Sequence, residues 1–114
     1  MKSYTDLEQS RKLAEILSLE TADIHYGEYC AGGEKYPILN CDDDYNGQSC
    51  WSLAALLGVL PFPVLYMEML GGMILWSCEC HFMETDEVVK IEHYNNPVDA
   101  CYEMILKLHE LKML

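Results

Sequence analysis

The chain has 114 residues, 51% of them hydrophobic, with nineteen acidic side chains against seven basic ones and a formal net charge of −12. That length allows one domain, residues 1–114, and excludes a large multidomain enzyme. The acidic balance, with Arg11 the one arginine, argues against a nucleic-acid partner, because phosphate binding needs clustered cations.

In chain order, Thr5-Asp-Leu-Glu8 reads as a capping box, with Thr5 as the N-cap and Glu8 three residues on. Leu7, Leu13, Ala14, Ile16 and Leu17 supply an apolar stripe and Glu8–Lys12 an i,i+4 pair, which predicts a first helix to about Leu17. Ala22–Cys30 alternates weakly and predicts an edge strand. Ala31-Gly-Gly33 and Asp42–Gly47 carry loop chemistry. Ser49 then predicts the cap of a second helix, Cys50 to about Gly58, apolar on nearly every side and therefore destined for the core.

Val64–Leu70 and Met73–Met83 flank Gly71-Gly72, a two-residue hairpin signal. Pairing Leu70 with Met73 puts Leu65, Met67, Met69, Ile74, Trp76 and Cys78 on one face, and Tyr66, Glu68, Ser77 and Glu79 on the other. A second turn at Glu84–Glu87 pairs Phe82 with Val89, Cys80 with Ile91 and Cys78 with His93, which extends the same apolar face. Asn96 caps a last helix that has Pro97 at its first position and Asp99 in its first turn. Val98, Cys101, Ile105 and Leu108 form its core stripe, and a spare stripe of Tyr102, Leu106, His109 and Met113 could pair two copies as a homodimer. The expected fold is α+β: a three- or four-stranded antiparallel sheet, with the meander over 64–94, covered on one face by three helices.

Residues 1–10 contain no apolar stretch, so no secretory signal is read and a cytoplasmic location is expected. The apolar run from Cys50 to Met67 approaches the length of a membrane span, but Gly58, Pro61 and Pro63 interrupt it, so no membrane partner is expected. In that setting the six cysteines read as reduced thiols rather than a disulfide framework.

Three stretches carry a resemblance. They are Tyr4-Thr-Asp-Leu-Glu-Gln-Ser-Arg-Lys-Leu13 with the following Leu-Glu-Thr-Ala-Asp, Cys50-Trp-Ser-Leu-Ala-Ala-Leu-Leu57 ending at Pro61, and Asn96-Pro-Val-Asp-Ala-Cys-Tyr-Glu-Met-Ile105. Together, over a little under half of the chain, they resemble a family of small proteins of Bacteroidales phages, prophages and other mobile elements. The resemblance implies a cytoplasmic protein in a bacterial host, and it brings no activity, cofactor or catalytic residues.

Several constellations invite chemistry. Cys78, Cys80 and His93, with Cys101 or Cys50 as a fourth ligand, have the donor types of a zinc site; the alternative is thiols packed as small hydrophobes beside a hydrogen-bonded histidine. Asp42-Asp-Asp44-Tyr-Asn46-Gly47 opens like a calcium loop, but Leu53 stands where the bidentate Glu belongs, and a polar turn before a helix explains the same residues. No cofactor is therefore predicted, zinc and calcium being the two weighed. On the outer sheet face Tyr66, Glu68, Glu79, His81, Glu92 and Tyr94 form a polar, aromatic patch suited to a protein partner, with Glu79 and Glu92 expected opposite one another. From Tyr36 to Val89 there is no Lys or Arg against eight carboxylates, so that partner is expected to be basic. No phosphate loop, nucleophile elbow or His-Glu-x-x-His occurs, and a non-catalytic accessory or inhibitor protein is expected. The competing expectation is a protein that sequesters a small ligand or metal between sheet and helices.

Overall fold

The computed structural model describes residues 2–28, 35–39 and 48–114, which form an α+β fold of three α-helices and two three-stranded antiparallel sheets. Helix α1 spans Leu7–Ile16, and its N-cap is Asp6 rather than Thr5. Both offer a capping box, but the Thr5 hydroxyl is taken by the core, where it meets Ser10 Oγ at 2.8 Å and accepts from the Trp51 backbone at 3.1 Å. Asp6 accepts from Gln9 N at 2.8 Å, and Gln9 Oε1 accepts from Asp6 N at 3.1 Å. Lys12 pairs with Glu15 at 3.7 Å instead of the expected Glu8.

Strand β1, Ile24–Glu28, is the middle of the first sheet, not an edge: β2 (Lys35–Leu39) lies on one side and β3 (Gln48–Cys50) on the other. Ile24, Tyr26 and Cys50 are buried together, with Tyr4 and Leu7 packed against them. Because Ser49 belongs to β3, helix α2 starts later than expected, over Leu53–Val59, and Ser52 is its cap. The Ser52 hydroxyl accepts from Ala55 N and donates to Asp23, which also takes Ser52 N at 2.9 Å. Asp42–Gly47, the calcium-like loop, lies outside the described residues, as do Cys30, Cys41 and the 31–33 loop.

The meander forms the second sheet, ordered β4 (Pro63–Leu70), β5 (Met73–Phe82), β6 (Glu87–Tyr94). Leu70 pairs with Met73 across Gly71 and Gly72, whose φ values of 57° and 81° are those of a tight hairpin that glycine adopts freely. The second turn is shorter than expected. Thr85 N donates to Phe82 O and Asp86 takes φ 55°, so the loop is Met83–Asp86 and Phe82 pairs with Glu87. Cys80 then pairs with Val89 and Cys78 with Ile91, two residues from the predicted register. A slip of two preserves the faces, which is why the apolar pattern is satisfied by either register.

Helix α3, Pro97–Glu110, lies against β5 and β6, α2 packs on α3, and α1 packs beside β3. The Asn96 side chain accepts from Asp99 N as predicted. Val98, Cys101, Met104, Ile105 and Leu108 are completely buried with Leu13, Trp51, Leu56, Cys78 and Cys80. The helix ends in a paired-bond C-cap: Met113 N donates to Leu108 O and Lys112 N to His109 O, with Lys112 at φ 59°. Met113 thereby leaves the helix and folds onto the core, so it does not continue the spare stripe of Tyr102, Leu106 and His109. Among the described residues, no helix is long and apolar enough to cross a membrane.

Candidate functional site

The outer face of the meander gathers most of the predicted partner-binding residues into one network. Glu79, near the middle of β5, stands opposite Lys90 rather than Glu92, so the expected clash of carboxylates does not arise. Its carboxylate accepts from Tyr66 OH at 3.3 Å, faces His81 Nε2 at 3.2 Å and lies 3.6 Å from Lys90 Nζ. Lys90 also pairs with Glu92 at 2.9 Å and sits 5.7 Å from the Tyr66 ring centroid, within reach of its π-face. Hydrogen bonding to Glu92 and then Tyr66 raises the Lys90 ammonium above its ordinary value, and Lys90 in turn lowers the Glu92 carboxyl. Three carboxylates (Glu68, Glu79, Glu92) against one lysine leave this face acidic.

His93 is on this face, not the buried one. Between Trp76 and Cys78 the register shifts, so Trp76 pairs with Tyr94 where a regular ladder would give His93. The extra residue is a β-bulge, and His93 takes φ 71° to accommodate it. Its backbone N–H donates to Ser77 Oγ at 3.3 Å, and its ring stands 3.6 Å from Glu68 and 3.7 Å from Glu92. Tyr94 is consequently turned inward, packing against the core beside Trp76, and drops out of the outer patch. Burial raises its hydroxyl, with Glu103 and Asp99 adding to the effect.

The predicted zinc trio is therefore divided: Cys78 and Cys80 are completely buried on the inner face while His93 is on the outer. Cys101 of α3 joins the two thiols in the core. Hydrogen bonds from Cys101 and Cys80 favour Cys78 as the first of the three to ionise, while hydrogen bonding to Cys78 and burial push Cys80 and Cys101 up. The remaining thiol among the described residues, Cys50, is raised by burial and donates to Thr5 O at 3.2 Å. Among the described residues, no three histidine, cysteine or acidic side chains converge as metal ligands.

Two surfaces were not anticipated. One is the far half of the β4–β5 hairpin, where the inward face outruns the helices: Met67, Met69 and Ile74 are exposed, and a cleft of about 480 Å³ lies between Met67, Ile74, Trp76, Lys2, Asn95 and Asn96. The other is a largely apolar cleft of about 530 Å³ at the opposite end of the sheet, lined by Pro61, Phe62, Phe82, Met83 and Met113, with His81, Glu84, Thr85 and Glu87 as its polar lining. Period-two alternation marks Met67, Met69 and Ile74 as inward but does not say how far the helical layer reaches. In comparisons with protein-family models, curated proteins and solved structures, nothing matches this chain.

Proposed function

We propose that this chain is a non-catalytic accessory or inhibitor protein of a phage or other mobile element, acting in a bacterial cytoplasm by contact with a basic protein surface. The observation that carries the reading is the Glu79-centred network. Tyr66, His81, Lys90 and Glu92 hold one another in place before a partner arrives, which reduces the side-chain entropy lost on binding. The face stays acidic after these internal pairs are counted, and a cationic surface is its electrostatic complement. Tyr66, bonded to Glu79, supplies a rigid contact of the kind enriched in interfaces.

The test is reversal of charge at Glu79 on β5 and Glu92 on β6, both away from β4. Partners captured from host lysate by the unaltered protein should be lost from Glu79→Lys/Glu92→Lys, with far-ultraviolet circular dichroism unchanged. Full retention of every partner by that folded variant would sink the proposal. A second reading, sequestration of a small apolar ligand, rests on the cleft lined by Phe62, Phe82, Met83 and Met113. Native mass spectrometry of protein purified from its host type decides it: added organic mass removed by Met83→Glu supports the ligand, and bare protein excludes it.

A further inference from the structure

We infer that the free edge of β4 is a self-association surface, on which a second copy of this chain pairs antiparallel to make a continuous six-stranded sheet. This goes beyond the outer-face reading and stands independently of it.

The two edges of the sheet are built differently. β6 carries Glu87, Lys90 and Glu92 and ends in a bulge, devices that stop strand addition. β4, Pro63–Leu70, has none of these within its length except Glu68; its one proline is its first residue, and among the described residues no strand pairs with its outer side. Its eight residues present an edge of about 27 Å. Phe62, Val64, Met67, Met69 and Leu70, on or just before it, are all exposed.

Parity fixes which groups are free. Phe62 O accepts from His81 N, and Leu70 with Met73 closes the two-residue hairpin, so the even-numbered residues of β4 bond to β5. The N–H and C=O of Leu65, Met67 and Met69 then point outward, each residue having its donor. A two-fold axis at Met67 sets Met67 against itself and Leu65 against Met69 of the other copy, and pairs of this class exchange both N–H···O bonds. Pro63, which has no N–H, falls at the end of that ladder.

Charge selects the same register. With the axis at Met67, Glu68 of each copy faces Tyr66 of the other, beneath the Lys90 ammonium that stands over the Tyr66 ring. A shift of the axis to residue 68 would set Glu68 against Glu68, a like-charge pair directly opposed. Val64 meets Leu70 in the favoured register, so exposed apolar side chains are matched along the rest of the strand. The net charge of −12 on each copy opposes association at long range, and salt screens that repulsion.

Sedimentation velocity from 1 to 100 µM is the experiment. The protein is expected to dimerise within that range, more tightly at 500 mM than at 50 mM salt. Met67→Lys, which places a cation against its own copy at the axis, should weaken the dimer at least tenfold, while Val88→Lys on the opposite edge leaves it intact. Should Met67→Lys not fold, Met67→Cys in a Cys30→Ser/Cys41→Ser background should cross-link to itself under mild oxidation, and Val88→Cys should not. A monomer at 100 µM, or a dimer that persists in folded Met67→Lys, overturns the inference. So does failure of Met67→Cys to cross-link, or a dimer dispersed by changes at Tyr102 and Leu106 but not at Met67, which would move the interface to α3.

Discussion

Asp99 ties the start of the chain to its last helix, and its removal is the sharpest test of how the fold closes. Its carboxylate accepts from Lys2 Nζ at 2.9 Å, Gln9 Nε2 at 2.8 Å and Asn96 Nδ2 at 2.8 Å, so an N-terminal residue, α1 and the cap of α3 meet on one side chain. Asp99→Asn keeps the shape but loses the charge, and its amide turns a donor toward a donor. Hydrogen bonds to a charged group contribute about 1.5–3 kcal/mol and a carboxylate in the first helical turn adds about 0.3–1. The side chain is 30% exposed, and solvent screening reduces the expected loss to about 1–2 kcal/mol. In a domain of this size that lowers Tm by about 4–10 °C. Burial works against the charge, but hydrogen bonds from Lys2, Gln9 and Asn96 outweigh it and hold the Asp99 carboxyl below its ordinary value. A depressed carboxyl stabilises the fold at pH above its unfolded value, near 3.8, and that contribution disappears as pH falls through the folded value. Calorimetry of both proteins from pH 7 to pH 3 should therefore show the gap in Tm full at neutral pH and closing at the acid end. A gap of the same size at pH 3 would refute the electrostatic account and leave only shape, and no gap at pH 7 would refute the tie itself.

Two further outcomes are expected. Lys112→Gly should raise stability by about 0.5–1 kcal/mol in urea unfolding, because Lys112 holds φ 59° just after Leu111, the C-cap of α3, and is exposed; a loss would show that the lysine makes a contact that outweighs the strain. In a Cys30→Ser/Cys41→Ser background, the completely buried Cys50, Cys78, Cys80 and Cys101 should react with a thiol reagent at pH 8 only as fast as the protein unfolds, and rapid labelling in native buffer would contradict the closed thiol core.

Much of the fold is legible where short-range chemistry acts alone. Gly71-Gly72 sets the hairpin and its register, and Asn96-Pro97 sets the start of α3, because both depend on residues within a turn of each other. The errors fall where two local solutions compete and a distant contact decides. Thr5 and Asp6 both fit a capping box, and the choice is made by Trp51 and Ser10, which claim the Thr5 hydroxyl. Ser49 and Ser52 both fit a cap, and β1 claims Ser49. The position of β1 in the middle of its sheet depends on β2 and β3, whose own sequences give weak alternation. In the meander, registers two residues apart satisfy the same hydrophobic pattern, so only the geometry of the Met83–Asp86 turn distinguishes them.

The bulge at His93 decides which residues make up the candidate site, and no periodic reading reveals it. Had the ladder of Cys78 with Ile91 continued regularly, His93 would lie inward beside Trp76 and Tyr94 would join the acidic face. One added residue exchanges them: His93 stands between Glu68 and Glu92, and Tyr94 closes the core next to the cap of α3. The same irregularity blunts the β6 edge, while β4 on the far side keeps its outward N–H and C=O groups and a row of exposed apolar side chains. The sheet thus presents two surfaces of opposite physical character. Contact through the outer face, as proposed, would depend on charge complementarity and weaken as salt is added, whereas the inferred pairing along β4 would join backbone groups and apolar side chains against the repulsion of two acidic copies and strengthen with salt. Salt dependence alone would therefore separate the two proposed modes of association, even on one molecule.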